Sequence, residues 1–136
     1  MIKRNITIYN SIEEIPKVLD FVESVGGELN LAHNIIMNVC LAIEEAVANI
    51  VMYAYPPPEK DEIHLSCTKE GNELIFLLSD KGVPFDPTLM SDPDIGLPAD
   101  ERPVGGLGIF LIRKIMNEII YERIGTENRL ILKKTI

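Results

Sequence analysis

The stretch 38–55, Asn-Val-Cys-Leu-Ala-Ile-Glu-Glu-Ala-Val-Ala-Asn-Ile-Val-Met-Tyr-Ala-Tyr, is apolar on nearly every side and runs into three consecutive prolines, Pro56, Pro57 and Pro58. With Ile35 and Ile36 before it and Asn30 as a candidate cap, it predicts one long helix that the prolines forbid from continuing. A helix apolar almost all round belongs at the centre of a fold, with other elements packed on it. Glu45 and Asn49 break that pattern. Residues four apart share a helix face, so the Glu45 carboxylate and the Asn49 amide point the same way, and Asn38 extends the same polar stripe. Polar groups on a core helix are costly unless used, and a carboxylate beside a neutral oxygen ligand suits a proton acceptor next to a hard cation.

The rest of the chain supplies what such a helix packs against. Residues 2–9 alternate as a strand, and Ser11-Ile-Glu-Glu14 is a capping box opening a helix with Ile15, Val18, Leu19 and Val22 on one face; Gly26-Gly27 is expected to end it. Segments 62–68 and 73–79 flank Lys-Glu-Gly-Asn and read as a hairpin that delivers Asp80 at its end. Residues 81–104 hold five of the nine prolines and read as a long loop. Gly105-Gly106-Leu107-Gly108 then opens a third helix, and two strands, near 118–124 and 128–135, close the chain. This order predicts an α/β (α+β) two-layer sandwich, a mixed, mostly antiparallel sheet with helices on one face, as a single domain over 1–136.

Charge and composition narrow the function classes. Thirteen basic against 21 acidic side chains leave a net charge of −8, which argues against general binding to nucleic acid or anionic membrane and is compatible with basic protein partners. The apolar runs are interrupted by Glu and Asn, and the first residues lack the apolar core of a secretory signal, so a cytoplasmic protein with no membrane span is expected. Cys40 and Cys67 sit in apolar patterns and read as buried free thiols, and His33 and His64 share no ligand spacing with them.

Three segments ask for one chemistry. Asp80, a carboxylate at a strand end followed by Gly82, can accept a hydrogen bond from an exocyclic amine, and the glycine can admit a ligand to the backbone. The glycines at 105, 106 and 108, leading into a helix, present free amides and the positive end of its dipole to phosphates. The Asn49 amide oxygen can complete the shell of a magnesium ion that also holds phosphate oxygens. Taken singly, Asn49 fits a satisfied core amide, Asp80 an ordinary turn and the glycines a hinge.

In order and spacing these segments resemble the GHKL ATPase superfamily with its Bergerat fold, and more closely the small anti-sigma factor serine/threonine kinases of the RsbW and SpoIIAB type. Glu45-Ala-Val-Ala-Asn49 resembles the N box, Asp80-Lys-Gly82-Val-Pro-Phe-Asp-Pro87 the first glycine box, Gly106-Leu107-Gly108 the second, and Gly125-Thr126 the final nucleotide-contacting turn. The chain departs from the common pattern at Pro84, Tyr53 and Ile50, and Arg102 is offset from the place of a lid arginine. The resemblance implies a histidine-kinase-like ATPase domain that binds ATP and Mg2+. Glu45 would be the general base and Asn49 the magnesium ligand; Asp80 would read adenine, and Gly82, Gly105, Gly106, Leu107, Gly108 and Thr126 would contact nucleotide. It implies as partners a sigma factor and a small anti-sigma antagonist that is phosphorylated, a possible homodimer, and a loop over 81–104 acting as a lid. Alternatives from other classes are a nucleotide-gated protein-binding regulator and the catalytic domain of a split histidine kinase.

Overall fold

A computed structural model describes residues 2–54, 60–89 and 106–136. Strand β1 (Ile2–Tyr9) leads through a 3-10 turn at Ile12–Glu14, whose first turn is capped by Ser11 Oγ accepting from the Glu13 amide, into α1 (Ile15–Glu28). Then come α2 (His33–Tyr53), β2 (Glu62–Glu70), β3 (Glu73–Asp80), α3 (Gly106–Ile115), β4 (Glu118–Ile124) and β5 (Glu127–Thr135). The sheet order is β1-β2-β3-β5-β4, and all four pairings are antiparallel. The expected two-layer α+β architecture is therefore present, with a sheet that is antiparallel throughout rather than mixed.

Period-2 patterning sets the inward face. Ile63, Leu65 and Cys67 of β2, Leu74, Phe76 and Leu78 of β3, and Leu130 and Leu132 of β5 are all buried. Register stacks them into rungs, Leu65–Leu78–Leu130 and Cys67–Phe76–Leu132. Onto this face α2 lays Val39, Ile43, Ala46, Val47 and Ile50, with α1 and α3 packed on its flanks. Although α2 is long and apolar enough to cross a membrane, here it is the central core helix. Cys40 and Cys67 are buried free thiols, and burial pushes Cys67 up to about 12.

Two helix boundaries differ from expectation for one reason. Gly26-Gly27 does not stop α1, which runs on to Glu28. A Cβ on Gly26 would lie 2.6 Å from Ile36 Cγ1, so that glycine is a point of close approach between α1 and α2 rather than a terminator. The stop comes at Asn30, at φ 54, where the Asn30 and Leu31 amides donate to the Gly27 and Gly26 carbonyls. Asn30 is thus spent on ending α1, and α2 begins after Ala32 without a side-chain cap.

Candidate nucleotide site

The inward face of the sheet is apolar until its last rung. There Ile63, Asp80, Asn128 and Arg123 are register partners across four strands. Asp80 is 3% exposed and Asn128 4% exposed, so this end of the core holds a buried carboxylate and a buried amide side by side. Asp80 Oδ1 accepts from the Gly82 amide at 2.9 Å and from Asn128 Nδ2 at 2.9 Å. Both hydrogen bonds described for Asp80 fall on the same oxygen, which leaves Oδ2 as the acceptor available to a ligand. Burial raises the Asp80 pKa; the bonds from Asn128 and Gly82 and the charge of Arg123 oppose that rise and do not overcome it.

Asn128 is the hinge of this network. Its Nδ2 also donates to the Val83 carbonyl at 2.8 Å, and its Oδ1 accepts from the Tyr121 hydroxyl. Arg123 Nη1 holds the Gly82 carbonyl at 2.8 Å. The segment after β3 is in this way tied to β4 and β5 by side chains alone. Asn128, Tyr121 and Arg123 were not among the residues expected from the sequence. The alternation of β5 carries the signal: counting back by twos from Leu132 and Leu130 puts Asn128 on the inward face beside Asp80.

Gly82 is a point of close approach to the end of α2. A Cβ there would lie 2.3 Å from the Ala54 carbonyl oxygen, and the Val83 amide donates to that same oxygen at 2.8 Å. On its Cβ side the Gly82 backbone is met by the C-terminal end of α2. The same contact seats Tyr53 against Phe85, with ring centroids 5.1 Å apart.

Between α2 and the polar rung lies a cavity lined by Ala46, Asn49, Asp80, Phe85, Ile112 and Asn128 among others. It encloses ≈ 10 Å³, room for about one water. That volume is smaller than a planar base, and Phe85 and Pro87, on the segment after β3, are among the residues that line it.

The other half of the site is where α2 meets α3. A Cβ on Gly108 would lie 2.8 Å from Glu45 Oε2 and 3.4 Å from Asn49 Nδ2, so the glycine turn of α3 closes directly over the Glu45/Asn49 pair. Burial, and secondarily the neighbouring Glu44, raise the Glu45 pKa. Asn49 is buried, yet its Nδ2 has no partner among the described residues. A buried amide left unpaired costs about 1–3 kcal/mol, a cost removed when a ligand engages it. Rotation of the amide by a half-turn exchanges its oxygen and nitrogen, so an oxygen donor to a cation fits the same position. Among the described residues no three His, Cys, Asp or Glu side chains cluster as a metal site, so a magnesium ion held here would take most of its ligands from phosphate and water.

Glu45, Asn49, Asp80, Gly82 and Gly108 are thus gathered along one side of α2. Gly106 and Leu107 form the first turn of α3, while Gly105, Arg102, Tyr55 and most of the expected lid lie outside the described residues. Thr126 is exposed in the β4–β5 turn beside Gly125, at φ 60, and does not line the cavity; Asn128 occupies the place opposite Asp80. Asn38 is exposed and also stands outside the cavity.

Comparison with known proteins gives the family and the fold. Residues 8–134 match the family described as histidine kinase-like ATPase domain. The chain is 33% identical over 92 residues to the serine/threonine-protein kinase BtrW of Bordetella bronchiseptica, covering 68% of this chain and 65% of that protein. It is 32% identical over 99 residues to the serine-protein kinase RsbW of Bacillus cereus, covering 70% of this chain and 61% of that protein. The chain therefore spans somewhat less than two thirds of the length of these curated relatives. In fold it is similar to the crystal structure of the RsbU and RsbW domains of a Mycobacterium tuberculosis protein, with a TM-score of 0.70 at 16% identity over 99% of this chain and 32% of the other.

Proposed function

The chain belongs to the histidine kinase-like ATPase family, and from that premise we propose that it is an ATP-dependent serine/threonine protein kinase of the anti-sigma factor type, regulating a sigma factor by binding and phosphorylating a small antagonist protein. The observation that carries the proposal is the closure of Gly108 over Glu45 and Asn49, which joins a candidate base, a candidate cation ligand and a helix N-terminus at one point. The names of the relatives, serine and serine/threonine kinases, support the acceptor class.

ATP would supply the phosphoryl group, with magnesium neutralising its charge. Asp80 Oδ2 accepts from the adenine amine while Asn128 and the Gly82 amide hold Oδ1 in place. Phe85 and Ile112 cover the base and exclude water. The Asn49 side-chain oxygen would hold the cation, and the first amides of α3, at Gly106, Leu107 and Gly108, would face the phosphates with the positive end of the helix dipole. Glu45 takes the proton from the acceptor hydroxyl as that oxygen bonds to phosphorus and ADP leaves. Its raised pKa makes it a stronger base than an ordinary glutamate. Positioning and charge neutralisation do the rest, as phosphoryl transfer requires.

The test is capture of a partner followed by incubation with γ-labelled ATP. Label on serine or threonine supports the kinase reading. Label on histidine points to a split histidine kinase, and capture without label to a nucleotide-gated binding module; either result overturns it.

A further inference from the structure

On α2 the residues Met37, Leu41, Glu44, Ala48 and Met52 follow one another at spacings of four, three, four and four, so they form one stripe along the helix. Met37 is 50% exposed, Leu41 36% and Met52 51%. The stripe is about 22 Å long, four turns of helix. Its opposite side is the core: Val39, Ile43, Ala46, Val47 and Ile50 are buried beneath it. One edge of the stripe carries Glu45 and Asn49, turned toward α3. The other edge carries Glu44 and turns toward α1: the Cys40 thiol is pushed up by burial first, and then by the nearby charges of Glu23 on α1 and Glu44 on α2. Apart from Glu44 at its α1 edge the stripe is apolar, and it runs as a track between an acidic border and the candidate catalytic base.

We propose that this α2 track is a docking surface for a basic amphipathic helix of a protein partner, its apolar face on Met37, Leu41, Ala48 and Met52 and its Lys or Arg side chains along the Glu23 and Glu44 border. Apolar residues at four-residue spacing match the anchors of a helix laid alongside, and methionines adapt their shape to such a partner. Charge selects the sign. The chain is −8 overall and the border is acidic, so a basic helix is attracted where an acidic one is repelled. A second copy of this chain is disfavoured by the same charges, since symmetric pairing of this face would bring acidic borders together. A helix seated on the track lies beside Glu45, within the region a phosphoacceptor has to approach. The surface itself does not depend on phosphoryl transfer.

The full chain is titrated with a fluorescent 16-residue helical peptide of Leu face and Lys flanks, and with its Leu/Glu counterpart, and ATP binding is measured on the same samples. Wild type is expected to bind the Leu/Lys peptide and not the Leu/Glu one. Leu41→Gln and, separately, Met37→Gln are expected to weaken that binding by about tenfold or more, roughly 1.4 kcal/mol, with ATP affinity unchanged. Both positions are exposed, so neither variant threatens folding. Three results overturn the proposal: no binding of the Leu/Lys peptide by wild type, binding by both variants as tight as by wild type, or light scattering that shows a wild-type dimer made monomeric by Leu41→Gln. Because ATP affinity is read in parallel, failure of the track and failure of the nucleotide site are distinguishable.

Discussion

Gly108 of α3 stands so close to Glu45 of α2 that a single added methyl group would lie 2.8 Å from the Glu45 carboxylate oxygen. The intruded atom is the end of a flexible side chain, not backbone, so the fold can adjust while the carboxylate is displaced. Alanine is also favoured over glycine inside a helix by roughly 1 kcal/mol. Gly108→Ala is therefore expected to melt at or above the wild-type temperature and to lose phosphoryl transfer by about 10²-fold, the scale of a misplaced general base. Thermal melts and transfer assays on one preparation check this; a fully active Gly108→Ala would place Glu45 outside the reaction.

Gly82 makes the opposite case. There the added Cβ would meet the Ala54 carbonyl oxygen at 2.3 Å, backbone against backbone, with no side chain to move aside. Overpacking of this kind costs about 3 kcal/mol. Gly82→Ala should lower the melting temperature by about 10 °C, by separating the end of α2 from the segment after β3. A melt within a degree or two of wild type would contradict the close approach.

Much of this arrangement is legible in the sequence, and the missed parts share a cause. Apolar periodicity locates α2, the β2–β3 hairpin and the inward faces, because burial on one side leaves its period in the chain. Gly26 in α1 misleads because its partner, Ile36, lies on another helix. Thr126 is a turn residue by local pattern, while the residue beside Asp80 follows from β5, not β4, pairing with β3. Local chemistry is readable; the identity of neighbours across elements needs the register.

Asn128 tests that register. Replacing it with alanine removes the donors to Asp80 Oδ1 and to the Val83 carbonyl and strands the Tyr121 hydroxyl. Stability should fall by about 1–3 kcal/mol by chemical denaturation, and ATP should bind roughly tenfold more weakly because Asp80 is no longer held. Thr126→Ala, at an exposed turn, should alter neither.

Glu45 also leaves a signature in pH dependence. Its folded-state pKa is raised above the ordinary value of 4.5, so the folded state binds the proton more tightly than the unfolded one. Stability linked to Glu45 is therefore fully present below that ordinary value and is lost as pH rises through the higher folded-state value. Glu45→Gln carries no such loss. Its stability relative to wild type should rise across that window and level off above it, as measured by denaturant midpoints from pH 4 to 8 (about the carboxylate range and above). A pH-independent difference would mean that the carboxylate is not desolvated.

Magnesium-dependent ATP binding, measured by calorimetry on wild type, Asp80→Asn and Asn49→Ala, tests the nucleotide site itself. Wild type should bind ATP, Asp80→Asn should lose at least about tenfold in affinity, consistent with an interaction of 1.4 kcal/mol or more, and Asn49→Ala should lose the enhancement by magnesium. Binding unchanged in both variants would contradict a nucleotide site at Asp80 and Asn49.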